Sequence, residues 1–341
     1  MARHDRPEKE WKAWIAQVAE DALEPELPIC DPHHHLWLDL GHTGWPYTLD
    51  DLHTDTERGH NVRQTVYVEC RAEYRADGPE HLRPIGETEF VVELAEQSAR
   101  SGKAEVAGIV GHANLALGAD VVEDVLRAHE AAGRGRFRGI RYITAQDDHP
   151  PLSMGNSADM DDPTYLGAVA KLGDLGYSYD AMVYHPQLPT LERVARACPQ
   201  TNIIINHLGG FLGTGPYKDR RDESMQAWRD GLSRLAACPN TFLKVGGIGM
   251  PMMGHRWDKQ AVPPNSEQLA TPWIEPVEFV IGEFGANRCM FESNYPVDMR
   301  GAGYVVLWNA FKRIAANYSA TEKAYLFHDT AATAYRLTTI G

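Results

Sequence analysis

The sequence predicts an α/β barrel: parallel strands closed on themselves, with helices outside. Short apolar runs of strand length recur about eight times, each followed by an amphipathic stretch of helical period. The first run ends in three consecutive histidines, His33, His34 and His35, where a doubly wound open sheet would want a glycine-rich phosphate turn. The length of 341 residues and 43% hydrophobic content supply ample core, enough for one large barrel or two smaller domains.

The elements follow in order. Residues 8–23, rich in Ala, Trp and charge, read as a helix stopped by Pro25 and Pro28. Strand-like runs cover 28–33, 64–70, 105–111, 137–143, 178–184, 201–206, 241–245 and 288–291. Amphipathic helices are expected over 86–101, 120–132, 163–175, 188–197, 222–237 and 273–284, and two or three more over 304–337. Gly246-Gly247-Ile248-Gly249 is glycine-rich but precedes Met250-Pro251, not a helix start, and reads as a loop. Residues 146–161, 209–217 and 246–266 read as long loops on the barrel rim. No internal repeat or linker is evident, so 1–341 is expected to be a single domain, with an N-terminal helical extension over 1–27 and C-terminal helices over 304–341.

The formal net charge of -14 opposes encounter with nucleic acid or an anionic membrane. Five scattered cysteines without C-x-x-C spacing argue for a reducing compartment. There is no signal-peptide pattern and no apolar run of spanning length, so a cytoplasmic location is expected. A homodimer is expected from base rates alone.

Side chains alternate along a strand, so His33 and His35 point one way and His34 the other. In a barrel of this kind the site forms where strands end. Those ends carry His33 and His35; Glu69, Arg71 and Tyr74; His112 and Asn114; Arg141; His185; His207; Lys244; and Glu292, Asn294 and Asp298. A lone histidine in this set would more often be a satisfied core residue. Their shared position is what points to a site.

Five segments stand in order along the chain: Asp31-x-His33-x-His35-x-Trp37, Arg138-Gly139-Ile140-Arg141, Asn206-His207-Leu208-Gly209, Met290-Phe291-Glu292-Ser293-Asn294-Tyr295-Pro296 and the ending from Thr330 to Leu337. Together they resemble the amidohydrolase superfamily, in the amidohydrolase-related branch that includes pyrone-dicarboxylate and sugar lactonases. The resemblance implies a distorted (β/α)8 TIM barrel and a hydrolase that opens a lactone or related cyclic ester. It implies that His33, His35 and His207 hold a divalent metal, zinc first and manganese next, or contact the substrate carbonyl without one. It makes Arg141 a clamp for a carboxylate or oxyanion, the alternative being an ion pair with a nearby Asp or Glu. His185, Glu69, His112, Tyr74 and Trp37 are the further candidates for substrate contact, and the substrate is expected to be small and carboxylate-bearing.

One departure stands out. The branch usually places an aspartate base in a Gly-Ser-Asp-x-Pro segment, where this chain has Glu292-Ser293-Asn294-Tyr295-Pro296. An amide cannot take a proton at neutral pH. Either another group is the base, Glu292 first and then Asp298, His112 or Glu69, or the barrel runs a decarboxylation or carbon–carbon cleavage, or it binds without catalysis. In the first case Asn294 orients the water. By strand parity, Glu292 and Asn294 share a face. If the strand stops at Phe291, parity fails, and Glu292 is left to pair with Arg288 or Arg300.

Overall fold

The computed structural model describes residues 7–39 and 44–340. Eight parallel strands run in sequential order: β1 (Pro28–His34), β2 (Asn61–Val68), β3 (Glu105–His112), β4 (Phe137–Ile143), β5 (Ser178–Met182), β6 (Ile203–Ile205), β7 (Thr241–Val245) and β8 (Cys289–Phe291). The seam between β8 and β1 has no regular ladder. It is joined where Tyr295 bridges His34, and the His35 N–H donates to the Tyr295 carbonyl at 2.9 Å. Register shifts interrupt the pairings of β1 with β2, β2 with β3 and β3 with β4. The barrel is therefore nearly closed and distorted, as expected.

Strands β5 to β8 are buried along their whole length, on both faces, which is why they read as nearly continuous apolar runs. Cys30, Val66, Val68, Val110, Ile204, Phe242 and Met290, from six strands, form one small apolar cluster with Ala331, Ala334 and Tyr335. The C-terminal helix Thr330–Ala334 thus packs against the strands' own cluster. The main core lies between strands and helices, with Trp228, Trp273 and Trp308 fully buried in it.

Three expectations are corrected. The first helix is Glu8–Ile15 and stops well before residue 23. Beyond it the chain is tied backbone-to-side-chain: Asn309 accepts from the Leu23 N–H, and Lys312 donates to the carbonyls of Leu23 and Glu24. Those tertiary bonds replace helical ones. A helix at Leu49–Thr56, between β1 and β2, was not anticipated; its signal was the capping box of Thr48 with Asp51. Strands β5 and β6 are shorter than their apolar runs, because Val183, Tyr184 and Asn206 already belong to the loops above the barrel. No helix of the described residues is long and apolar enough to cross a membrane.

Candidate active site

At the C-terminal end of β1, His33 is fully buried and His34 turns outward, its Nε2 2.9 Å from the Thr65 hydroxyl. The rings of His33 and His35 lie 5.0 Å apart and those of His33 and His207 4.6 Å. The convergence anticipated from the sequence is present.

Glu292 joins them. Strand β8 does end at Phe291, but the Glu292 N–H donates to the Val245 carbonyl at 3.3 Å and carries the ladder one residue further. Its carboxylate therefore reaches inward and does not pair with Arg288 or Arg300. Glu292 Oε1 lies 2.6 Å from His207 Nδ1 and accepts the His207 backbone N–H at 3.1 Å. Glu292 Oε2 lies 2.8 Å from His33 Nδ1 yet makes no hydrogen bond.

The backbone around His207 is shaped for this. Residues His207 to Gly210 all have φ between 52° and 66°, a region that bulky side chains seldom enter. A Cβ at Gly210 would stand 1.9 Å from the Val183 carbonyl oxygen, so this turn requires glycine there. The Gly246-Gly247 pair, read from sequence only as loop, makes room for the site. A Cβ at Gly246 would meet Glu292 Cγ at 2.2 Å, and one at Gly247 would meet His207 Cβ at 2.8 Å.

Arg141 is buried and committed. Its Nε donates to Glu69 Oε1 at 2.8 Å, its Nη2 donates to the Glu69 carbonyl, and its Nη1 stands 3.3 Å from His33 Nε2. The ion-pair alternative for Arg141 is thus realised, although Arg141 also lines the cavity described below. Lys244, one of the strand-end residues marked from sequence, and Asp180, which was not marked, form a buried pair at 2.8 Å; Lys244 Nζ lies 3.3 Å from His33 Nδ1, and Asp180 also accepts from Tyr335. Asp180 had one signal, a lone carboxylate in the apolar run Ser178–Met182. Burial first, then the charge of Lys244, holds the His33 ring well below its ordinary pKa, so it is neutral.

Asn294 sits at φ 50°, which asparagine tolerates. Its Nδ2 donates to Asp298 Oδ2 at 2.6 Å, and Asp298 Oδ1 accepts the Gly249 N–H at 2.6 Å. Burial pushes the Asp298 carboxyl up to about 8.

A cavity of about 250 Å³ opens over these groups, with Glu69, Arg71, Arg141, His35, His207 and Asn294 on its polar wall. His33 and Glu292 are fully buried and do not line it. Of the remaining candidates, Trp37 stacks on His35 at 6.2 Å between centroids, and His112 Nδ1 is 4.0 Å from Glu69 Oε2. The Tyr74 ring is 6.4 Å from that of His112. These three lie around the site without lining the cavity. His185 is not gathered in: its Nδ1 accepts the Leu212 N–H, and its ring packs on Phe211 and Tyr217.

The donor set closest to a metal-holding arrangement is His33, His207 and Glu292, whose ligand atoms lie within 4.8 Å of one another. Two imidazoles and a carboxylate, one of whose oxygens is buried without a hydrogen bond, fit a divalent ion such as zinc. His35 is outside this group; its Nδ1 is 2.8 Å from the Val68 carbonyl.

An eight-stranded barrel with this histidine–carboxylate cluster at its strand ends has the architecture of a hydrolase with a metal-type site. The chain belongs to the amidohydrolase family, whose sequence model matches residues 30–337. It is 30% identical over 325 residues to the uncharacterized protein y4mH of Sinorhizobium fredii, covering 92% of this chain and 99% of that one. It is 29% identical to the L-fucono-1,5-lactonase of Burkholderia multivorans over 253 residues, 74% of this chain and 77% of the relative. A crystal structure of an amidohydrolase from Burkholderia multivorans with bound zinc superimposes with a TM-score of 0.71 at 25% identity, covering 91% of this chain and 99% of that one. The same amidohydrolase has also been solved with bound HEPES.

Proposed function

We propose that this protein opens a lactone of a small organic acid, with His207 as the group that takes the proton from water and Glu292 as its buried partner. The observation that carries the reading is the 2.6 Å contact between Glu292 Oε1 and His207 Nδ1 at the edge of the cavity. An N–H on Nδ1, held by the carboxylate, leaves Nε2 as the basic nitrogen. Glu292 also steadies the imidazolium that forms. Its fully buried position favours this indirect role over direct contact with water. Arg141, held in place by Glu69, presents positive charge to the substrate's carboxylate or developing oxyanion. Asn294 commits its NH2 to Asp298 and offers its carbonyl oxygen to orient the water.

His33, His207 and Glu292 are also the residues that would hold a divalent metal; in that state His207 would be a ligand and not the base. When bound, the metal would polarise the lactone carbonyl and lower the pKa of water. His35 contributes to the cavity wall. The related L-fucono-1,5-lactonases support a sugar-acid or similar hydroxy-acid lactone as the substrate class. Five buried, unpaired cysteines support a cytoplasmic setting.

The test is ring opening of a panel of five- and six-membered lactones, followed by proton release, with carbon dioxide release from aromatic acids measured in parallel. Lactone opening above the spontaneous rate supports the reading. Carbon dioxide release without lactone opening replaces it with the decarboxylase alternative.

A further inference from the structure

The cavity has two levels. On neighbouring strands Arg141 pairs in register with Asp180, and two residues further along Ile143 pairs with Met182. Alternation puts Arg141 and Ile143 on one face of β4, and Asp180 and Met182 on one face of β5. The upper position therefore lies about 6–7 Å further along the strands, on the mouth side. Arg141 stands at the lower level and Ile143 and Met182 at the upper, and His207 and Asn294 add polar groups to the same cavity. Ile143, Met154, Met182, Met250 and Val297 line the same cavity and supply apolar surface from four different parts of the barrel rim.

This collar is built rather than incidental. The Met154 N–H donates to the Ala145 carbonyl at 2.8 Å, and the Asn156 N–H donates to the Ile143 carbonyl at 3.0 Å, pinning the loop over the end of β4. Gly155 lets that loop close in, since a Cβ there would stand 2.3 Å from the Ile143 carbonyl oxygen. The Met250 methyl carbon lies over Gly247, 2.6 Å from where a Cβ would be, which brings it beside His207. Methionine and branched aliphatic side chains offer contact area but no hydrogen bonds to a hydroxyl, and a hydroxyl buried against them loses its water without replacement.

We propose that this collar selects a lactone ring carrying an alkyl or other apolar substituent on the carbon that faces the mouth, over one hydroxylated there. The inference rests on the lactone reading of the site and narrows it: oxygen-rich groups turn down toward Arg141 and His207, and the apolar substituent points up between Met154, Met182 and Met250.

The experiment is calorimetric binding of ring-opened products to the intact protein: 5-hydroxypentanoate, 5-hydroxyhexanoate, 5-hydroxyoctanoate and 5,6-dihydroxyhexanoate. Affinity should rise about fourfold per added methylene, the worth of one buried CH2, and the dihydroxy acid should bind more weakly than 5-hydroxyhexanoate. Met182→Ser and Met250→Ser should cut that gradient to less than about twofold per methylene, while Met182→Leu preserves it. A flat series in the unaltered protein, no binding of any member, or tighter binding of the dihydroxy acid overturns the proposal. Opening of the matching lactones is measured on the same samples. Turnover with a flat binding series removes the collar and keeps the hydrolase. A steep series with no turnover keeps the apolar selection and removes lactone opening.

Discussion

Glu292 touches His207 twice, through the ring Nδ1 at 2.6 Å and through the backbone N–H at 3.1 Å, so one carboxylate oxygen fixes both the position and the tautomer of the imidazole. Replacing Glu292 with Gln keeps the shape and removes the charge. The imidazolium loses its partner, and the two-histidine cluster loses its anionic ligand. We expect kcat/KM for lactone opening to fall at least ~100-fold and zinc affinity, measured by competition with a chromophoric chelator, to fall at least ~10-fold. Unchanged zinc affinity would separate Glu292 from the metal-holding group.

Gly246 is the space that Glu292 occupies. Gly246→Ala would place a methyl group 2.2 Å from Glu292 Cγ and 2.7 Å from its carbonyl oxygen. The carboxylate must move, so activity should drop at least ~10-fold and stability by about 1–3 kcal/mol. Kinetics and urea melts on the same sample measure both. An alanine variant with full activity would mean that the placement of Glu292 is not critical.

Asn294 donates its NH2 to Asp298 Oδ2 at 2.6 Å, a bond that an ionised aspartate at this position could not make. Asn294→Asp would set a second carboxylate against Asp298 Oδ2 in a buried site. The loss of the NH2 donor and the new like-charge contact should lower the melting temperature by several degrees. The loss should be larger at pH 8.5 than at pH 6, where the pair shares a proton. A gain in activity with no loss of stability would show instead that the usual aspartate scheme is latent in this barrel.

The same Asp298 gives a pH signature. Burial lifts its carboxyl to about 8 in the folded chain, against about 3.9 unfolded. Between those values the folded state holds a proton that the unfolded state has released. Its contribution to stability therefore declines as pH rises toward 8 and is flat above. Buried histidines held low, such as His129 and His185 at about 4, act in the opposite sense and only below about 6.5. Urea melts of the unaltered protein at pH 6.5 to 8 should show falling stability, and Asp298→Asn should remove much of that slope. Parallel curves for the two proteins would place the titration elsewhere.

Much of this was legible in the sequence because strand and helix periods carry the barrel and because parity alone puts His33 and His35 together. The run ending in Asn206-His207 and the run ending in Phe291-Glu292 marked their strand ends for the same reason. Parity did not by itself decide Glu292: what carries it inward is the ladder bond to Val245 past the end of β8. Lys244 was marked at its strand end, but its partner Asp180 was hidden because a buried ion pair is a tertiary fact; neither residue announces the other across 64 positions. His185 looked like its neighbours in sequence, but its strand, β5, stops at Met182 and the loop beyond carries the ring toward Phe211 and Tyr217. The roles of Gly246 and Gly247 depend on side chains arriving from β8 and β6, which no local pattern encodes.

The most direct measurement compares the rate of lactone opening by the unaltered protein and by His207→Ala, at matched concentration and with folding confirmed by melting curves. Loss of the ring that faces the cavity should reduce kcat/KM at least ~100-fold. Rates within about threefold of each other, far less than an acid/base group supplies, would contradict the account.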